Sequence, residues 1–141
     1  EVAKLMGEPA RKINFEIDGS NVTAWFYLAS FEGMPYQKAS FTFDARSQKL
    51  VSKWFSIDDN DPESNFEAAV KRYPNSNFQK VERPWCNHSG PDSELYVDSK
   101  FGMTLSRSLA RKEVTSMTWE VPGDRVLASA KDCPKVFQIK E

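Results

Sequence analysis

The sequence is poor in the residues that build catalytic and metal sites. It has one histidine, His88, and two cysteines, Cys86 and Cys133. A zinc site takes three or four ligands, whereas Cys86 and His88 supply two, with Asp92 nearby and Cys133 distant in the sequence. A cysteine nucleophile paired with His88 would need a third group to orient the histidine, and the sequence offers no candidate. We therefore expect no metal, no cofactor and no catalysis; an enzyme using Cys86 and His88 is the third interpretation, after the two binding functions below.

The sequence also lacks an excess of charge of one sign and has no long apolar run. Nineteen Lys and Arg residues are interspersed with twenty Asp and Glu residues, which gives a net charge of −1. No basic patch arises that would attract nucleic acid or an anionic membrane. No stretch approaches the roughly 18 to 20 consecutive apolar residues of a membrane-spanning helix. We expect neither a nucleic-acid partner nor a membrane span.

One acidic cluster invites a calcium interpretation. Asp58, Asp59, Asp61 and Glu63 follow one another closely. A calcium loop of the EF-hand type needs a glycine at its sixth position and a glutamate at its twelfth, and Pro62 with the helix predicted behind it breaks that frame. Negative charge at a helix N-terminus accounts for these residues more simply.

The composition that is present fits one globular domain. The chain has 141 residues, of which 40% are hydrophobic and 13% aromatic. A chain of this length and composition can bury a sizeable core. We predict a single compact domain over residues 1–141.

Two helices are predicted from the spacing of apolar residues. Val2, Leu5 and Met6 form one stripe, which Gly7 and Pro9 end. A second stripe begins after the N-cap Asp61 and the first-turn Pro62, and Pro74 ends it. Its apolar members recur with helical spacing and are Phe66, Ala69, Val70 and Tyr73.

Strands are predicted wherever apolar and polar residues alternate. Residues 13–17 and 22–28 flank a turn at 18–21. After a loop at 33–35, residues 39–43 and 50–57 flank a second turn at 44–49. Further strands are predicted at 78–81, 94–98, 102–110, 113–121, 125–130 and 136–139. The fold class that follows is α+β, with short helices packed on an antiparallel meander sheet. Residues 1–57 and 61–141 repeat the same order of elements, which leaves two tandem helix-plus-sheet units open as an alternative.

The first 57 residues resemble the SmpA/BamE family of outer-membrane lipoproteins and the related fold of the β-lactamase inhibitor protein. In that pattern a helix ends in Leu-x-Gly-x-Pro, a strand with tryptophan and tyrosine follows, and a strand ending in Phe-Asp turns into the next. The positions that match are Leu5, Gly7, Pro9, Trp25, Tyr27, Phe43, Asp44, Leu50 and Trp54.

The resemblance implies a small exported bacterial protein, located in the periplasm or at the outer membrane. Such proteins are often anchored through a lipidated cysteine, which would lie upstream of residue 1 together with a leader and the start of the first helix. They work by contact with another protein and not by catalysis. Relatives of the inhibitor carry two helix-plus-sheet units in tandem.

A candidate contact surface follows from strand alternation. If Val22, Phe26, Val51 and Phe55 face the core, then Trp25, Tyr27 and Trp54 face the other side. Aromatic side chains among hydroxyl residues are typical of protein contact surfaces. The alternative is that a helix covers this face and buries them. A further alternative function is a carrier of a small molecule or lipid in an aromatic groove between helix and sheet.

Cys86 and Cys133 are the candidates for a disulfide. Each lies beside a proline in a segment predicted to be irregular, and an even pair of cysteines suits an exported chain. Such a bond would contribute about 3 to 4 kcal/mol by restricting the unfolded ensemble. Two unpaired buried thiols are the alternative.

The disulfide has a direct test. We expect the protein, denatured without reductant and treated with an alkylating reagent, to keep its intact mass, and to gain two alkyl groups after reduction. Two alkylated thiols without reduction would contradict the bond and weaken the inference of export.

Overall fold

The computed structural model describes residues 1–31, 33–57, 64–81, 93–123, 126 and 136–139. The chain divides into two compact units. The first unit comprises residues 1–55 and 134–141, and the second comprises residues 56–133. The predicted duplication at 1–57 and 61–141 differs from this division, because the C-terminal strand belongs to the first unit.

The first unit is an antiparallel sheet with one short helix. The helix α1 spans Val2–Met6, and the strands are β1 (Arg11–Ile17), β2 (Ser20–Phe31), β3 (Met34–Asp44), β4 (Leu50–Ser56) and the C-terminal strand Val136–Gln138, which is β9. Their order across the sheet is β4-β3-β2-β1-β9. Each neighbouring pair in this order is antiparallel, so the chain runs as a meander from β1 to β4, and β9 returns beside β1.

The second unit is also an antiparallel sheet with one short helix, but it has fewer strands. The helix α2 spans Phe66–Lys71, and the strands are β5 (Gln79–Val81), β6 (Ser93–Asp98), β7 (Met103–Ser108) and β8 (Val114–Glu120). Their order is β5-β6-β7-β8, again antiparallel. The strands predicted in this half are confirmed within a few residues, except that residues 125–130 lie outside the described part of the chain apart from Val126.

The prediction of an α+β fold is wrong, because the described protein is mainly β. Nine strands occupy most of the described chain, whereas the two helices have five and six residues. Apolar spacing located both helices but could not set their length. Gly7 ends α1 with a left-handed φ of 77°. α2 begins at Phe66, after the N-cap Asn65, whose side chain accepts a hydrogen bond from the Ala68 amide at 3.0 Å. The cap is therefore Asn65, and the predicted cap Asp61 lies outside the described residues.

Further predictions concern the loop at 33–35, the acidic cluster, His88 and the cysteines, and membrane-spanning helices. Met34 and Pro35, predicted as loop, belong to β3. The acidic cluster at 58–63, His88 and both cysteines lie outside the described residues, so the disulfide stays a prediction. Within the described ranges, no helix has the length and apolar character needed to cross a bilayer.

The largest buried cluster lies in the second unit, where α2 packs on one face of its sheet. Ala69 of α2 joins four buried strand residues, Met103, Leu105, Val114 and Met117. Phe66 and Val70 of the same helix pack against this cluster, and so does Tyr73 just beyond the end of the helix, as their spacing predicted. The opposite face carries a smaller cluster formed by Val81, Leu95, Val97 and Val126.

The turn between β6 and β7 depends on a buried carboxylate and a glycine. Asp98 is 3% exposed and accepts hydrogen bonds from the amides of Asn77, Lys100 and Phe101 at 2.6, 2.9 and 3.1 Å. Gly102 follows with φ of 67°, and its carbonyl accepts a bond from the Glu120 amide at 2.7 Å. A Cβ at position 102 would overlap the backbone carbonyl of Glu120.

Gly102→Ala is expected to destabilise the protein by at least about 2 kcal/mol. A left-handed backbone costs a side-chain residue about 1 to 2 kcal/mol, and overpacking against backbone adds about 1 to 3 kcal/mol. Gly19→Ala is the matched control, because Gly19 has φ of 83° but no atom within 4 Å of its Cβ position. Chemical denaturation of both variants checks the difference. Equal losses would show that Glu120 moves aside at no cost.

Candidate functional site

The turn between β1 and β2 determines which residues share a face of the first unit. It consists of two residues, Asp18 and Gly19, with φ of 48° and 83°. Two positive φ values are what a type I′ hairpin turn requires, and Asp-Gly is a favoured sequence for it. Because the loop has two residues and not the four predicted, Ile17 pairs with Ser20 and Lys12 pairs with Trp25.

The predicted aromatic surface is divided between the two faces of this sheet. Trp25 pairs with Phe41, which pairs with Lys53, so these three share one face. Trp54 pairs with Ser40, which pairs with Phe26, and these lie on the opposite face. The expectation that Trp25, Tyr27 and Trp54 share one face is therefore wrong. Alternation divides the residues of one strand between the two faces of the sheet. It does not show which residues of the neighbouring strand lie on the same face, because that depends on the pairing register.

Tyr27 is part of the core beneath α1. Its side chain is 7% exposed, and its ring meets the ring of Phe41 edge-on with centroids 5.7 Å apart. The hydroxyl donates a hydrogen bond to the carbonyl oxygen of Gly7 at 3.0 Å, and Val2 of α1 packs against the same cluster. The alternative that a helix covers the aromatic face therefore describes Tyr27, whose role in this structure is to hold the end of α1 on the sheet.

Burial raises the pKa of the Tyr27 hydroxyl above its ordinary value, and the nearby carboxylate of Glu8 raises it further. Both effects disfavour the charged phenolate. The folded protein thus retains this proton to a higher pH than the unfolded chain does.

Trp25 lies on the same face as Tyr27 but is only half-buried. Its ring packs against that of Phe43 with centroids 4.9 Å apart and planes tilted by 53°. The ammonium group of Lys12 lies 4.5 Å from the centre of the Trp25 ring. Two neighbours thus restrict a large side chain that still reaches solvent.

Polar groups surround this tryptophan. The Thr23 hydroxyl donates a hydrogen bond to the side-chain oxygen of Asn14 at 2.8 Å, one cross-strand pair away on the same face. Lys12 also lies 3.9 Å from the Glu8 carboxylate in an exposed ion pair. We call the five residues Lys12, Asn14, Thr23, Trp25 and Phe43 the Trp25 patch. An apolar ring within a polar rim can bury area against a partner and orient it.

The opposite face of the sheet is a mixed apolar surface. Val22 and Ala24 are buried, whereas Phe26 and Trp54 are half-buried. The Phe26 ring meets Phe15 edge-on at 6.4 Å, and Arg11 lies 5.6 Å above it. Leu28, farther along the same strand, is 46% exposed.

A charged cluster in the second unit brings together side chains that the sequence analysis did not connect. The Lys80 ammonium group lies 3.2 Å from one carboxylate oxygen of Glu94. The Tyr96 hydroxyl donates a hydrogen bond to the other carboxylate oxygen at 3.1 Å, and the Arg107 guanidinium lies 3.8 Å from that same oxygen. The hydrogen bond from Lys80 lowers the pKa of Glu94 below its ordinary range, burial opposes this, and the bond from Tyr96 lowers it further. Glu94 is therefore a poor proton donor at neutral pH. The cluster links β5, β6 and β7, and Arg107 stacks over Phe66 of α2 at 5.0 Å.

Metal binding has no support among the described side chains, where no group of three or more His, Cys, Asp or Glu residues could hold an ion. Comparisons with known proteins add no assignment. No protein-family model matches the chain, and no curated protein or solved structure matches it significantly.

The sequence analysis found Trp25 but missed Lys12 as its partner. The signal that could have found Lys12 is the Asp-Gly turn. A two-residue loop at 18–19 pairs positions symmetrically about that turn, which places Lys12 opposite Trp25. The Phe43 contact depends on the β2–β3 pairing, whose register is shifted between Tyr27 and Leu28, and no local pattern indicates that shift.

Tyr27→Phe tests the role assigned to the Tyr27 hydroxyl. We expect a loss of about 1 kcal/mol at neutral pH, the typical net contribution of one hydrogen bond. Because the folded-state pKa is raised, this tyrosine's proton-linked stability is complete below the unfolded value of 10.0 and is lost as pH rises through the folded value. The stability advantage of the wild type over the variant should therefore shrink at alkaline pH. Urea denaturation across that range measures it, and equal stability at every pH would contradict the assigned role.

Proposed function

We propose that this protein is a non-catalytic protein-binding module of the bacterial envelope, in the periplasm or at the outer membrane, and that it contacts its partner through the Trp25 patch. The observation that carries the proposal is the state of Trp25. This ring is held between Phe43 and the Lys12 ammonium group, yet part of it reaches solvent.

A tryptophan held in this way suits an interface for an entropic reason. Ordering a flexible side chain on binding costs about 0.5 to 1.5 kcal/mol, and contacts that already restrict the ring reduce that cost. Tryptophan is also the residue type most enriched among positions that dominate binding energy, particularly where a polar rim excludes water around it. Thr23, Asn14 and Lys12 provide such a rim beside Trp25.

The envelope location rests on resemblance. The Leu5, Gly7, Pro9 pattern at the end of α1 and the Trp25, Tyr27 strand are similar to those of the SmpA/BamE family, whose members act by protein contact. The structure gives two of these positions a shared physical task, because the Gly7 carbonyl accepts the hydrogen bond from Tyr27. Two residues of the pattern thus form the hydrogen bond that holds the end of α1 on the sheet, beside the Trp25 patch.

The carrier alternative has less support from the same residues. An aromatic groove between helix and sheet would need the ring of Tyr27 to be open to a ligand. That ring instead packs against Phe41, with its hydroxyl bonded to the residue that ends α1. Native mass spectrometry of the purified protein would reveal a retained small molecule and would then favour the carrier.

Trp25→Ser tests the proposal, with Trp54→Ser as its matched control. Both tryptophans are half-buried residues of the same sheet, but they lie on opposite faces. We expect both variants to remain folded. A partner recovered with the wild type from an envelope extract, then purified, should bind Trp54→Ser normally and Trp25→Ser at least about thirtyfold more weakly, as for a dominant interface residue. Calorimetry measures both affinities.

A second variant guards against misfolding of Trp25→Ser. Lys12 is exposed, so Lys12→Gln should keep the fold. It should weaken binding roughly two- to fivefold, because an exposed cation–π contact contributes about 0.5 to 1 kcal/mol to holding the ring. Partner binding that depends on Trp54 and not on Trp25 or Lys12 would move the functional surface to the opposite face and contradict the proposal.

A further inference from the structure

The hairpin formed by β2 and β3 extends past the strands on either side of it. The pairing of β1 with β2 ends at Phe26, and the pairing of β4 with β3 ends at Ala39. Beyond these points β2 and β3 continue to pair with each other, from Leu28 opposite Gln37 to Phe31 opposite Met34. We call residues 28–31 of β2 and 34–37 of β3 the arm.

The arm lacks a third strand in the part of the chain that the structure describes. A two-stranded hairpin is only marginally stable in water, and three or more strands with an apolar face are normally required. The sequence of the arm is nonetheless apolar, with Leu, Ala and Phe in β2 and Met, Pro and Tyr in β3. Leu28 at its base is 46% exposed. Such a segment gains stability when another strand is added to one of its edges.

The two edges of the arm differ in their protection against strand addition. Natural proteins protect exposed edges with proline, charged residues and bulges. The β3 edge has all three, because Pro35 lacks an N–H group and Lys38 is the extra residue where the register shifts between Tyr27 and Leu28. The β2 edge, from Leu28 to Phe31, has no proline, no charge and no bulge of its own.

We propose that the β2 edge of the arm pairs with the same edge of a second copy of this chain, forming an antiparallel, two-fold symmetric dimer. An unprotected edge is a template for an added extended strand, and the identical uncharged segment of another copy supplies one without charge repulsion. Antiparallel pairing of identical edges is self-complementary and closes after two copies. The protected β3 edge stops further addition, so pairing ends at a dimer and does not continue into a fibre.

The dimer is independent of the function proposed for the Trp25 patch. The patch occupies one face of the sheet, between β1 and β3, whereas the proposed contact uses backbone groups at the outer edge of β2 beyond Phe26, where its pairing with β1 has ended. Loss of the dimer and loss of partner binding would therefore appear in different variants.

Ser30→Lys tests the dimer, with Gln37→Lys as its matched control. Both residues are exposed and lie on the arm, but Ser30 is on the unprotected strand and Gln37 on the protected one. A two-fold axis perpendicular to the sheet keeps the two copies of position 30 on the same face, and antiparallel pairing centred on residue 30 places them directly opposite each other, where like charges are destabilising. In a dilution series followed by sedimentation, we expect the wild type and Gln37→Lys to dimerise equally and Ser30→Lys to dimerise roughly two- to fivefold more weakly.

Hydrogen exchange supplies a second readout on the wild-type protein. Amides of residues 28–31 should exchange more slowly as the protein concentration rises, because pairing with the second copy protects them. A wild type that stays monomeric throughout the dilution series would overturn the proposal. So would a dimer that Ser30→Lys leaves intact, or one that Gln37→Lys weakens to the same extent.

Discussion

The arrangement of the first unit depends on the two-residue turn at Asp18 and Gly19. Both residues adopt positive φ, which an Asp-Gly pair allows at low cost and most other pairs do not. The turn fixes the register of β1 on β2, and a shift of one residue would move every side chain of β1 to the other face. Lys12 stands opposite Trp25 and Asn14 opposite Thr23 only because this loop has two residues. The geometry of the Trp25 patch is therefore a consequence of backbone conformation seven residues away.

Within the face that this register defines, α1 separates a structural region from a candidate functional one. The hydrogen bond from Tyr27 to Gly7 and the packing of Val2 place the short helix over Tyr27, Ala39 and Phe41. Trp25 is two residues along the same strand and remains half-buried. Two aromatic residues with the same sequence environment thus acquire different tasks. One holds the helix on the sheet, and the other reaches solvent and is the residue proposed to contact a partner.

The second unit uses its polar groups mainly to stabilise its own structure. Asp98 is buried, but three backbone amides satisfy its carboxylate, and Gly102 next to this turn allows close approach to the backbone of Glu120. Glu94 is held in its ionised form between Lys80, Arg107 and Tyr96, where it joins three strands. Polar groups with their hydrogen bonds made in this way specify a turn or a register.

The sequence by itself determined where most strands lie, that neighbouring strands are antiparallel, and where α1 ends, because these properties depend on local alternation and on glycine and proline at particular positions. The local sequence did not determine the length of the helices, the fold class, or which residues of neighbouring strands lie on the same face of the sheet. α2 begins at Phe66, and its cap is Asn65 and not the predicted Asp61. Trp54 faces away from Trp25 because strand pairing, which alternation does not specify, places it opposite Ser40. Only the tertiary structure decided that Tyr27 is core, that Trp25 reaches solvent and that the arm extends beyond its neighbours. Each of these depends on contacts between residues distant in sequence, whose register and burial follow from the packing of whole elements.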